Sequence, residues 1–189
     1  MTGKHRELGS RERASVRYHA HISSRTSHCQ RGGFDWQIIM GCPMNIYRED
    51  EFPWLFRDGL FIKGVIDTGK IVLGICLGAQ MRASVLGARI RRNRYPEIGW
   101  FEVGFTDEAQ ESQGFRHFPK RSKTFHWHGD TFDLPSSCKW VAQSGACKNQ
   151  AFEYDGMVIG LQSPLNRCEH FQNTWSAFPF LSRFYRTDI

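Results

Sequence analysis

The chain has 189 residues, of which 40% are hydrophobic, 14% aromatic and 23% charged, with six cysteines and a formal net charge of +6. That length suits one α/β domain with a substantial core and excludes two comfortable ones. No apolar run approaches the roughly 18 residues of a membrane span. The irregularly spaced cysteines, with no Cys-x-x-Cys pair and no signal peptide, argue for a reducing cytoplasm over a disulfide framework.

The positive charge hints at anionic partners, but much of it lies in the first 31 residues. Lys4, Arg6, Arg11, Arg13, Arg17, Arg25 and Arg31 stand there against only Glu7 and Glu12. No strand or helix period is visible among them. Three readings of residues 1–33 compete: a disordered basic arm, a transit-type leader, and the product of a wrong start or reading frame. His19, His21, His28 and Cys29 lack a complementary ligand pair, so no metal site is assigned to them.

The globular pattern begins near Phe34. Trp36–Met40 predicts a strand, ended by the turn-rich loop Gly41-Cys42-Pro43-Met44-Asn45. Pro53 opens a helix predicted over Trp54–Asp67, with Leu55, Ile62, Val65 and Ile66 on its apolar face and Gly69 as its end. Ile71–Gly74 reads as a short buried strand. Ala79–Leu86 has helix-forming composition, with Leu77, Met81 and Val85 on one face and Gly87 as a stop. Strand, helix and strand in about forty residues make a parallel crossover unit, whose loops gather at the carboxyl edge of the sheet. Cys76 then sits on a tight strand-to-helix turn, flanked by Gly74 and Gly78. Such a turn raises a nucleophile above the sheet and aims it at a helix N-terminus, which favours the thiolate.

Downstream, Arg89, Arg91, Arg92 and Arg94 form a basic run, read as a solvated edge or a nucleotide- or partner-docking patch. Phe101, Val103 and Phe105 alternate as a half-buried strand. The alternation of Phe125 and Trp127 with His126 and His128 puts both histidines on one strand face. Cys138 and Cys147 lack metal spacing and read as buried small hydrophobes. Ala151–Tyr154, the turn signal Asp155-Gly156 and Met157–Gln162 predict a hairpin.

Gly41-Cys42-Pro43-Met44-Asn45, Gly74-Ile-Cys76-Leu-Gly78-Ala-Gln80 and Glu97-Ile98-Gly99-Trp100 together resemble the class I glutamine amidotransferases. The nearest branch is the stand-alone one related to the glutaminase domain of GMP synthase. His126–Pro135 and Asn149-Gln150-Ala151-Phe152 resemble further motifs of that branch. The likeness runs from about Phe34 to Gln162. It implies a flavodoxin-like fold and a cysteine that attacks the side-chain amide of glutamine. Ammonia then leaves and water hydrolyses the thioester. On this likeness Cys76 matches the nucleophile, and the backbone amides of Leu77 and Cys42, in the loop beginning at Gly41, match the oxyanion donors. Gln80, with Gly78, His126 and His128, matches substrate-shaping positions. No cofactor and no metal are expected, and the substrate is glutamine or a γ-glutamyl compound. A separate synthetase or other ammonia acceptor is the implied partner; neither nucleic acid nor a membrane is.

The sequence departs from the family at two places. The first loop carries Cys42 where the family usually has glycine, so a positive φ there would cost roughly 1–2 kcal/mol. Its nearness to Cys76 would also allow an oxidative pair. After Gly160-Leu161-Gln162 the family continues with phenylalanine, histidine and, two residues on, glutamate. Here Pro164 stands in the histidine's place and Asn166 in the glutamate's, and proline can move no proton. His170 is the nearest stand-in. The lost pattern over 163–189, together with residues 1–33, reads as a damaged or mis-framed gene or as a diverged pseudoenzyme. A γ-glutamyl hydrolase on the same scaffold is a further reading. The expected architecture is a three-layer α/β domain with a mostly parallel sheet and an antiparallel hairpin extension. It spans 34–162, between a basic segment (1–33) and a divergent tail (163–189).

Overall fold

A computed structural model describes residues 34–163. The expectations for 1–33, Pro164, Asn166, His170 and the tail lie outside the described residues. Ten elements follow one another: β1 (Trp36–Ile39), α1 (Trp54–Asp67), β2 (Ile71–Ile75), α2 (Leu77–Val85), β3 (Ile90–Phe105), α3 (Asp107–Gln110), β4 (Arg121–Phe132), β5 (Lys139–Ser144), β6 (Ala151–Tyr154) and β7 (Val158–Leu161).

The first crossover forms as its pattern requires. Pro53, at φ −61°, is pre-set for the start of α1, and the helix buries Leu55, Ile62 and Val65. Gly69 ends it at φ +68°, donating to Ile66 O at 2.9 Å, a left-handed stop open to glycine at little cost. β2 then runs parallel to β1 on one side and to β7 on the other. A strand covered on both faces must be apolar throughout, and Val72, Leu73 and Gly74 are buried in succession. Gly87 stops α2 at φ +88°.

The seven strands make one sheet in the order β1-β2-β7-β6-β5-β3-β4. The α/β class holds, but this sheet is mixed and not mostly parallel. Two of its strand pairings are parallel and four antiparallel. The difference comes from β3 and β4, which are far longer than the sequence suggests, and from the β5–β6–β7 meander beside them. The basic run is strand in backbone and solvated in side chains: Ile90, Arg91 and Arg92 pair with Phe132, Thr131 and Asp130, a register shift between Arg92 and Glu97 follows, and Arg89, Arg91, Arg92 and Arg94 are exposed.

Side-chain alternation divides the core between the sheet faces. Leu73, Phe105, Phe115, Phe118, Val141 and Ile159 pack on one face with Ile38. Leu55, Ile62, Leu77 and Met81, from α1 and α2, pack on the other with Ile39. Among the described residues no helix is long and apolar enough to cross a membrane.

Candidate active site

The site is built on the turn between β2 and α2. Cys76 occupies the N-cap of α2 at φ 54° and ψ −112°, a region sparsely populated by residues with a side chain. Hydrogen bonds on both sides over-determine it. Its N–H donates to Leu161 O at 2.8 Å, and its carbonyl accepts from the amides of Ala79 and Gln80 at 2.9 and 3.1 Å.

The flanking glycines are required by close approach. A β-carbon on Gly74 would stand 2.4 Å from Gly78 O, and one on Gly78 would stand 2.2 Å from Ile39 O. The first loop meets the same turn, since a β-carbon on Gly41 would lie 3.1 Å from Cys76 Cβ and 3.7 Å from its sulfur. Cys42 beside it is exposed and does not adopt positive φ, so the cysteine in the glycine's place carries no left-handed strain. Both Cys42 and Cys76 are free thiols.

Burial pushes the Cys76 thiol up, the Leu77 amide hydrogen-bonded to its sulfur pulls it down, and Asp130 and Cys42 raise it further. The net direction is upward. The helix terminus alone predicts the reverse; here desolvation and the Asp130 charge outweigh it.

Gln162, at the end of β7, turns its amide toward the Cys76 sulfur, Nε2 to Sγ 3.9 Å. Gln80 does not reach the sulfur and instead donates to Gln162 Oε1 at 3.4 Å. Asp130 is buried at the end of the strand face that carries His126 and His128, and accepts from the Tyr47 hydroxyl at 3.0 Å. Burial and Asp130 raise the Tyr47 phenol, while Arg92 lowers it. Tyr47, Arg92 and Asp130 thus form a group of both charge signs, of which Asp130 acts on the thiol. Sequence reasoning singled out Arg92 only as part of a basic run and Asp130 only within a motif, and missed Tyr47; the alternation that pairs His126 with His128 also carries to Asp130.

His126 and His128 are buried, and each turns one ring nitrogen toward Glu97, Nδ1 of His126 and Nε2 of His128. Glu97 Oε2 lies 3.4 Å from His126 Nδ1 and 3.1 Å from His128 Nε2, while Oε1 accepts from Ser144 Oγ at 2.6 Å. Burial would raise this carboxyl, but the hydrogen bonds from His126, His128 and Ser144 hold it well below the usual range. Among the described residues, Glu97, His126 and His128 make up the one set whose donor atoms converge closely enough to hold a metal ion. The set is linked to the thiol site. His128 Nδ1 faces Asp130 O at 3.1 Å, Gln150 Oε1 accepts from Ser163 Oγ at 3.2 Å, and Gln162 N donates to Gln150 O at 2.7 Å.

The sequence profile described as "Glutamine amidotransferase class-I" matches residues 5–163. The chain belongs to this family. It is 27% identical over 132 residues to the glutamine amidotransferase-like protein YfeJ of Salmonella typhimurium, covering 68% of this chain and 55% of that one. It is 32% identical over 132 residues to one of the subunits of the glutamine-hydrolyzing GMP synthase of Saccharolobus solfataricus, covering 68% and 65%. A solved glutamine amidotransferase of Thermotoga maritima superposes with a TM-score of 0.66 at 34% identity, covering 82% of this chain and 66% of that one. The chain thus spans about half the length of YfeJ and less than two thirds of the other two.

Proposed function

We propose that the chain acts as a glutamine amidotransferase, with L-glutamine as its γ-glutamyl donor. The Cys76 sulfur forms a bond to the side-chain amide carbon and the carbon–nitrogen bond breaks. The thiol proton leaves with the nitrogen as ammonia, and water cleaves the thioester to glutamate and free thiol. The amides of Leu77 and Cys42 are the oxyanion donors; one such donor is worth about 2.7–4 kcal/mol. The observation that carries the reading is the Cys76 elbow, with the Leu77 amide on its sulfur and the Gly41 loop against its β-carbon.

The group of both signs around Asp130, whose charge reaches the thiol, supports an amino-acid substrate. Asp130 suits an α-ammonium, and Arg92 an α-carboxylate. Gln80 and Gly78 act through the packing of α2 and through Gln162, and His128 acts through the backbone of Asp130. The relatives that are subunits of a GMP synthase support a separate synthetase as ammonia acceptor, and we assign the protein to the cytoplasm.

Pro164 favours a second reading, a glutamine-binding protein without turnover. Losing the base of a nucleophile–base pair costs on the order of 10⁴–10⁶ in rate. Ammonia release from glutamine by the full chain, with Cys76→Ala as control and γ-glutamyl peptides in parallel, separates the readings. Release abolished by the substitution supports catalysis. No release, with calorimetric binding of glutamine intact, supports the silent reading. Neither release nor binding of glutamine ends both.

A further inference from the structure

Behind the thiol site, four side-chain atoms from three parts of the chain converge in a buried cage. Glu97 and His128 face each other across the β3–β4 ribbon as a register pair. His126, two residues along β4, shares the face of His128. Gln150 enters from the segment before β6. Its Nε2 donates to Glu97 Oε2 at 2.6 Å and to Ser144 Oγ at 3.0 Å, and lies 3.3 Å from His126 Nδ1 and 3.4 Å from His128 Nε2. With the two carboxylate–imidazole distances of 3.1 and 3.4 Å, five edges of a tetrahedron fall between 2.6 and 3.4 Å. The sixth, between the two imidazole nitrogens, is under 4.8 Å. Ligands at the usual zinc distances of about 2.0–2.1 Å stand about 3.3–3.4 Å apart in a tetrahedral shell.

The hydrogen-bond pattern points the same way. Asp130 O can only accept, so His128 Nδ1, 3.1 Å away, carries a hydrogen. The other ring nitrogen, Nε2, faces Glu97 Oε2 at 3.1 Å. The Gln150 Nε2 amide is the donor these acceptors share, 2.6 Å from Glu97 Oε2 and 3.4 Å from His128 Nε2, and a metal ion in the cage would take over that role. A ring N–H donated to a backbone carbonyl is also the usual outer support of a metal-bound histidine. The two ends of the Gln150 amide have the same shape. Turning it over presents Oε1 to the cage and lets Nε2 donate to Ser163 Oγ, at the loss of its donations to Glu97 and Ser144, which a bound ion would replace.

We propose that Glu97, His126, His128 and Gln150 form a closed tetrahedral zinc site that ties β3 and β4 to the segment entering β6. The site goes beyond the amidotransferase reading, and its test needs no glutamine turnover. Two imidazoles and two oxygens suit Zn²⁺, and a shell of four protein ligands with no open position is that of a structural ion. Bound there, it would fix the strand carrying Asp130 and the Gln150–Ser163 contact beside Cys76.

The full chain, loaded with zinc sulfate and dialysed against a weak chelator, is measured for metal content and by X-ray absorption at the zinc edge. The expected result is about one zinc per chain, in a shell of nitrogen and oxygen at about 2.0–2.1 Å with no sulfur at about 2.3 Å. His128→Asn and Glu97→Gln each lower the retained zinc by about tenfold or more, and Gln150→Glu retains it. Retention below about a tenth of an ion per chain overturns the proposal, as does a shell containing sulfur. If the ligand variants fail to fold, the wild-type absorption spectrum still decides between these outcomes.

Discussion

Gly78 and Ile39 meet backbone to backbone: a β-carbon on Gly78 would stand 2.2 Å from the Ile39 carbonyl oxygen. The contact brings the start of α2 down onto β1, and Cys76 rides on that start. Neither partner can yield, because one is a strand backbone and the other opens a helix. Gly78→Ala should destabilise the chain by about 1–3 kcal/mol or more through overpacking. Each kcal/mol corresponds to about 2–4 °C in Tm for a chain of this size. Thermal unfolding followed by circular dichroism measures it, and an unchanged Tm would mean that α2 does not lie on β1 as described.

Arg82 poses the opposite problem. Its side chain is wholly buried in α2, and burial lowers its guanidinium well below the ordinary arginine range. Its hydrogen bond to Gln37 O is a long one, 3.4 Å from Nη2, and Nε and Nη1 have no partner among the described residues. A buried cation without a carboxylate is destabilising, and an apolar replacement of similar volume is often stabilising by about 1–4 kcal/mol. Arg82→Met should therefore raise Tm. A fall would show that the bond to Gln37 O and the packing of the side chain outweigh the burial of its charge.

Asp130 raises the Cys76 thiol, so neutralising it should make the thiol more acidic. At a given pH, Asp130→Asn then holds a larger thiolate fraction. Its rate of alkylation by iodoacetamide, followed against pH, should shift toward lower pH than wild type. A profile that stays in place or moves upward would remove Asp130 from the electrostatics of the nucleophile.

Pro164 and Asn166 stand where the family keeps its base and the residue that orients it. If the rest of the site is competent, Pro164→His with Asn166→Glu should raise ammonia release from glutamine by about 10²–10⁴-fold, the usual worth of a positioned acid–base group. The Cys76→Ala version of the double variant should return the rate to background. A double variant that binds glutamine but gains no rate would mean that more than the base is missing.

Much of this architecture is local and therefore legible. Trp54–Asp67 shows its 3.6-residue stripe between Pro53 and Gly69, and the structure gives the same span. Asp155 and Gly156, both at positive φ, make the hairpin turn that their pairing predicts. What could not be read is non-local. Arg89 to Arg94 has no alternation to mark it as strand, yet residues from Ile90 onward are held in β3 by pairing with β4 some forty positions away. The Glu97 cage is equally hidden, because Glu97 and Gln150 lie 53 residues apart and only the folded ribbon makes them neighbours. His126 and His128 could be placed on one face, but the partners that this face meets could not be read.

That Cys76 is the nucleophile of a glutamine site is tested most directly by covalent capture. The full chain is treated with the chloroketone analogue of L-glutamine, in which a chloromethyl ketone replaces the side-chain amide, and the adduct is located by mass spectrometry of its peptides. The expected result is one adduct on Cys76, suppressed by excess L-glutamine, and little on the more exposed Cys42. Labelling that falls on Cys42 or spreads over the cysteines, with no protection by glutamine, would contradict it.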